Sequence, residues 1–233
     1  MALKKIAWGI TGAGHFLDDS YRVFKKIKFD NSDILINTFL SSAAEEVLRM
    51  YGLDSKLMKI SRGNYLEEIF RESEQGKSSP KAGRFLLAKY DALFVTPATS
   101  NTVAKIANGT ADSLVTNAVA QAVKGGVPVY VVPVDVAGVV ISEMPYFIDR
   151  ELCQRCDVCT PREKCSRKAI TDQIDLLKCK GCAICIKLCK FEAIKGGPVE
   201  LKVRDIDEQN VNTLRRLEGI TVLESPEEIL ELF

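Results

Sequence analysis

Short apolar runs alternate with stretches of helical periodicity over most of the chain. KKIAWGI (4–10) reads as a buried strand, followed by the glycine turn TGAGH and a helix through about Lys26. ILINTFL (34–40) is a second strand, and SSAAEEVLRMYG a helix closed by Gly52. The pattern then predicts a helix over 65–73, a strand at YDALFVT (90–96) ending at Pro97, and a helix through Ile106. Another helix is expected from about Ser113 to Lys124, and PVYVVPV (128–134) is the next strand. Strands alternating with helices need crossover connections, so an α/β fold is expected, with a mostly parallel sheet covered on both faces. Residues 74–83, EQGKSSPKAG, read as a polar loop able to close over a ligand.

Beyond position 198 the alternation resumes. VELKVRD reads as a strand, EQNVNTLRRL as a helix, GITVLE as a strand and SPEEILELF as a short helix. Ser225 as N-cap and Pro226 at the first helical position supply its start signal. This tail is expected to pack back on the first region, giving three segments: a main domain over 1–148, an inserted module over 149–198, and the returning 199–233.

What interrupts the alternation is chemistry. All eight cysteines lie between Cys153 and Cys189. The downstream group, CKGCAICIKLC, has the spacing C-x2-C-x2-C-x3-C, and the upstream CQRCDVCTPREKC has C-x2-C-x2-C-x5-C. In two-cluster ferredoxins three close cysteines hold one cluster and the fourth ligates the other. Exchanging fourth ligands gives one 4Fe-4S cluster on Cys153, Cys156, Cys159 and Cys189, and a second on Cys179, Cys182, Cys185 and Cys165. Gly181 permits the tight backbone turn between close ligands. The proline that usually follows the fourth cysteine is replaced by Lys190 and Ser166. The alternatives are two zinc sites or disulfides. Zinc ligands come as close pairs rather than triplets with a trailing fourth, and disulfides suit small secreted domains. An inserted ferredoxin-like module with two clusters is the expectation.

Charge follows the same division. The whole chain has a formal charge of +1, with 46% hydrophobic and 27% charged residues. Residues 150–198 hold eleven Lys/Arg against six Asp/Glu. The overall balance argues against a nucleic-acid binder. No apolar run of eighteen residues and no secretory leader pattern is present, so no membrane span is expected and a cytoplasmic location is.

Clusters carry single electrons and need a redox partner, which directs attention to the first domain. GITGAGH follows a strand and opens a helix, where backbone N–H groups can approach a phosphate. Ser41 and Ser42 stand where the second strand meets its helix, as ligand contacts or as a cap. PATSNTVAKIANGTADSLVTN (97–117) places four small polar residues, Thr99 to Thr102, at another strand end. This run resembles the flavin-binding segment of the flavoprotein family that includes phosphopantothenoylcysteine decarboxylase and the flavin prenyltransferases. The resemblance covers about residues 4–145. It implies a flavodoxin-like fold, FMN held by Thr11, Gly12, Ala13, Gly14, Ser41, Thr99, Ser100, Asn101 and Thr102, and trimers with the flavin at a subunit boundary.

Departures from that family matter equally. The decarboxylases' histidine beyond the second strand is absent, since the only histidine is His15. VPVDVAGVVISEMP stands in place of their substrate-clamping segment, and the prenyltransferases' basic residue near Val134 is missing. The non-redox chemistries are thereby disfavoured, and His15 is expected as a flavin-loop or subunit contact. A flavin domain with an inserted double-cluster module resembles a group of iron–sulfur flavoprotein oxidoreductases. That resemblance implies ferredoxin as electron donor and a dihydropterin, 7,8-dihydromethanopterin, as acceptor. It also implies a trimer-based homo-oligomer of up to twelve or twenty-four subunits. Another pterin or flavin substrate, or a pure electron carrier, is the alternative.

Overall fold

The computed structural model describes residues 3–233. In chain order the elements are β1 (Lys5–Ile10), α1 (Leu17–Asp30), β2 (Leu35–Leu40), α2 (Ser42–Met50) and β3 (Ile69–Arg71). Then come β4 (Ala92–Ala98), α3 (Ser100–Ala107), α4 (Leu114–Lys124), β5 (Val129–Pro133) and β6 (Val139–Ile148). The last are α5 (Thr160–Lys164), α6 (Ile184–Leu188), β7 (Ile194–Lys202), α7 (Asp205–Leu214) and β8 (Ile220–Val222).

Six strands form one sheet in the order β3-β2-β1-β4-β5-β8, and every pairing is parallel. Without the short outer β3, this is the flavodoxin-type order, in which the second strand flanks the first and the rest follow on the other side. The strands are apolar on both faces because helices cover both. On one face Trp8, Phe24 and Leu48 join α1 and α2 to the sheet, and Trp8 stacks on Phe24 at 4.3 Å. On the other, Val103, Val119 and Leu214 bring in α3, α4 and α7. Burial of these side chains is the main driving force for this half.

Local chemistry fixes the helix starts. The Ser41 hydroxyl accepts from Ala44 N (3.2 Å), and Ser113 and Thr116 form a reciprocal capping box. Gly52 closes α2 with φ +64°, where a side chain would be strained. The terminal turn, Pro226–Leu232, is a 3-10 helix; Pro226 opens it, but the Ser225 side chain makes no cap bond. Glu228 instead accepts from Glu224 N at 3.1 Å.

The helix expected over 65–73 does not form. The Asn64 side chain accepts from Leu66 N and Glu67 N (2.9 and 3.0 Å), bending the chain, and Ile69–Arg71 pairs with β2 as an edge strand. Glu67 turns inward to Lys28 at 2.5 Å. Both side chains are nearly fully buried, so this tertiary ion pair overrides a local helical pattern. Residues 74–83 are not a free loop either: Ala82 lies in the core beneath the sheet.

A second, two-stranded antiparallel sheet joins β6 to β7, from Val139↔Lys202 to Ile148↔Ile194. All eight cysteines lie between these strands in sequence. At the far end of the ribbon, Ile148, Ile170, Ile174 and Ile194 form a small core against which Cys153, Cys165, Cys179, Cys185 and Cys189 pack.

Candidate functional site

Strands β1 and β4 are neighbours whose chains continue into α1 and α3 on opposite faces of the sheet. Ligands of open α/β sheets bind beyond the carboxyl ends of strands at such a reversal. Thr11 ties the two strand ends together. Its buried hydroxyl donates to Pro97 O (2.7 Å) and accepts from Thr99 N (2.9 Å), while Thr11 N also donates to Pro97 O (3.3 Å). Thr99 caps α3, accepting from Thr102 N at 3.2 Å.

A cleft of about 320 Å³ opens above this junction. Of the nine residues marked for a nucleotide, Gly12, Ala13, Gly14, Thr99, Ser100 and Asn101 line it. Thr11 and Thr102 stand behind as buried supports, and Ser41 caps the neighbouring α2. The glycines are needed for close packing: a Cβ on Gly12 would come within 2.4 Å of Ala43 Cβ, and one on Gly14 within 2.2 Å of the Tyr51 hydroxyl. No residue of 74–83 reaches the cleft.

The sequence patterns did not mark Val134, Asp135, Val140, Ser142 and Leu201, which form the remaining walls with His15. Three of these belong to the β6–β7 ribbon, whose pairing is non-local and leaves no motif. The Asp135 carboxylate accepts from the Ser100 hydroxyl. Arg204, hydrogen-bonded to Asp207 and within the field of Asp135, is held above its ordinary pKa. Hydroxyls and glycine-turn backbone together with the apolar Val134, Val140 and Leu201 suit an amphipathic nucleotide bearing a flat ring. The residues present therefore fit a flavin.

The cysteines separate into two cavities. Cys153, Cys156, Cys159 and Cys189 line one; Cys165, Cys179, Cys182 and Cys185 line the other. Each quartet thus takes three close cysteines and the trailing fourth of the other group. None of the eight is joined in a disulfide. Among the described residues, no three His, Cys, Asp or Glu side chains converge on a point where one ion would be held. Four cysteines on each cavity wall are the donor set of an iron–sulfur cluster. Burial pushes the Cys185 thiol up, and the neighbouring Cys179 and Cys182 add to it. A bound cation cluster reverses that penalty. Backbone N–H groups of Ala169 and Gly181 point at Cys165 and Cys179 sulfur at 3.3 and 3.5 Å. Among the described residues, no helix is long and apolar enough to cross a membrane.

Comparison with known proteins places these features in context. The sequence profile of the flavoprotein family matches residues 1–138. Dihydromethanopterin reductase (acceptor) of Methanosarcina mazei is 69% identical, over 100% of both chains. The protein of the same name from Methanocaldococcus jannaschii is 48% identical, over 98% of this chain and 95% of its own. Burkholderia xenovorans DmrB, solved with FMN and described as a cubic protein cage for redox transfer, superposes with a TM-score of 0.63. It is 28% identical, with 98% of this chain and 92% of DmrB covered.

Proposed function

The chain belongs to the flavoprotein family and, within it, to the dihydromethanopterin reductases (acceptor); from that premise we propose an iron–sulfur flavoprotein reductase. It is an oxidoreductase taking electrons from ferredoxin through two 4Fe-4S clusters to FMN and on to 7,8-dihydromethanopterin, giving tetrahydromethanopterin. Residues 1–148 form the flavoprotein domain, 149–198 the ferredoxin-like module, and 199–233 the returning segment. The work is cytoplasmic, in a homo-oligomer built from trimers, of which a cage like that of DmrB is one form.

Gly12 to Gly14 and Thr99 to Asn101 hold the FMN, with Thr11, Ser41 and Thr102 fixing the backbone that presents them. When bound, the flavin supplies a two-electron store and hydride delivery to the C=N bond. The chain supplies position. Thr11 locks the β1 and β4 ends, the N-terminus of α3 offers N–H groups to negative charge, and the ribbon walls the cleft against water. The quartets hold the clusters on thiolates.

The observation that carries this reading is the ribbon. One end contributes Val140 and Ser142 to the cleft, and the other carries both cysteine quartets. The proposed single-electron and two-electron sites thus share one antiparallel ribbon. An open cleft beside the flavin residues favours an enzyme over a pure carrier. The test is anaerobic purification with iron, sulfide and flavin counts, followed by reduction of dihydromethanopterin by the chemically reduced protein. About eight iron atoms per chain, one FMN per site and stoichiometric product are expected. Iron-free material, or a reduced protein inert towards the pterin, would overturn it.

A further inference from the structure

The two quartets differ in what lies behind them. Every residue lining the Cys153 quartet's cavity falls between positions 148 and 193. The Cys179 quartet's cavity instead shares Tyr146, Cys179 and Lys180 with a cleft whose opposite wall is Asp18, Met50, Tyr51 and Leu53 of the sheet domain. Tyr51 is also the side chain packed on Gly14 of the glycine turn. One side chain therefore spans from the glycine turn to the cleft that Cys179 borders. The Cys179 quartet faces inward, and the Cys153 quartet faces away from the sheet domain.

The outward cavity has a charged rim. Arg150, Arg155, Arg162 and Lys190 line it and are exposed, with Asp172 the one acidic residue on that wall among the described residues. The inward cavity is also basic, through Lys164, Arg167 and Lys180. Charge alone does not choose between them, but position does: electrons must leave on the side nearest the flavin residues and so arrive on the other.

We propose that electrons arrive at the Cys153–Cys156–Cys159–Cys189 quartet, on a basic rim that docks an acidic one-electron carrier protein, and leave through the Cys165–Cys179–Cys182–Cys185 quartet. This rests on the proposed function and adds a direction and a docking face to it. Each docking oxidises the carrier by one electron and reduces the outer cluster by one, with no bond made or broken. Two dockings, with two protons from water, balance reduction of one C=N bond. Complementary charge raises the encounter rate by about 10- to 1000-fold and makes it sensitive to salt.

The test uses the anaerobic holoprotein and an acidic bacterial-type two-cluster ferredoxin as probe, with equilibrium binding as the first readout. Arg155→Glu with Lys190→Glu is expected to weaken binding more than tenfold and flatten its salt dependence, at equal iron and flavin content. Lys164→Glu with Arg167→Glu, on the inner cavity, is expected to change it less than twofold. Should the reversed outer pair lose iron, Arg155→Gln with Lys190→Gln replaces it, with about a threefold loss expected. Stopped-flow reduction by the same ferredoxin should follow the binding order. The inference is overturned if the inner pair carries the loss, if neither pair does, or if the unaltered protein binds no acidic ferredoxin. Protein lacking iron sinks the proposed function itself, whereas loaded clusters with docking elsewhere sink only this direction.

Discussion

The sheet domain and the cysteine module meet the same requirement, a stable interior, by opposite means. In the sheet, β1, β2 and β4 are buried along nearly their whole lengths, and two apolar layers cover them. In the module, four isoleucines are buried, and five of the eight side chains packed against them are cysteines. Helices α5 and α6 have five residues each, far below the length at which a helix holds by itself. The sheet thus carries its own driving force, whereas the module carries a ligand set. Folding in the one is hydrophobic burial; in the other, under the proposed cluster ligation, it is coupled to what the thiolates bind.

The largest expected effect follows directly. Removing iron by anaerobic chelation should strip residues 149–193 of hydrogen-exchange protection, while β1 and β4 keep theirs. Persistent protection in the module would break the comparison, since four isoleucines would then suffice. The reverse experiment is Trp8→Ala. It empties the space beside Phe24 and orphans Thr96 O, to which the indole donates at 2.8 Å. A loss of about 3–5 kcal/mol is expected from the denaturation midpoint of the sheet domain. The iron-to-protein ratio of the folded fraction should not change.

The same contrast explains what could be read from the chain beforehand. Apolar strands and capped helices are local patterns, so the alternation around β1, β2, β4 and β5 was visible, as were the glycine turn and the 97–117 run. Cysteine spacing is local too: Cys153, Cys156, Cys159 and Cys189 line one cavity, and Cys165, Cys179, Cys182 and Cys185 another. The larger failures are non-local. Glu67 fell within the expected 65–73 helix, but besides the Asn64 turn, Lys28 from α1 draws it inside. Asp135, Val140, Ser142 and Leu201 reach the cleft only because β6 pairs with β7 across the whole module. The Ser225 cap is a local miss: its side chain makes no cap bond at that turn.

A smaller effect tests the join between strands rather than the core. Thr11→Val keeps volume but removes the hydroxyl between Pro97 O and Thr99 N. A part-buried N–H then loses its acceptor, at a cost of about 1 kcal/mol. The change lies beneath the cleft and away from the quartets. We expect FMN affinity to fall about tenfold by fluorescence titration, with cluster absorbance unaltered. Equal losses of flavin and iron would mean that the two regions are not separable.

The smallest effect is a pH dependence confined to the sheet domain. Burial pushes the Tyr90 hydroxyl up to about 12 from 10.0, partly offset by the Arg84 guanidinium beside it. Between those values the unfolded chain releases a proton that the folded chain keeps. Stability is therefore complete below about pH 10 and is lost as pH rises towards about 12, at a slope of up to about 1.4 kcal/mol per pH unit. Other groups titrate in that window, so the measurement is a difference: denaturation midpoints of the protein and of Tyr90→Phe at several alkaline pH values. The phenylalanine variant should show the shallower decline. Because Tyr90 packs on Phe39 and Phe85 in the sheet domain, this excess decline should appear in the helical signal of that domain. Cluster absorbance that tracked the Tyr90-dependent difference would show the module to be stabilised by the sheet rather than by its own ligands.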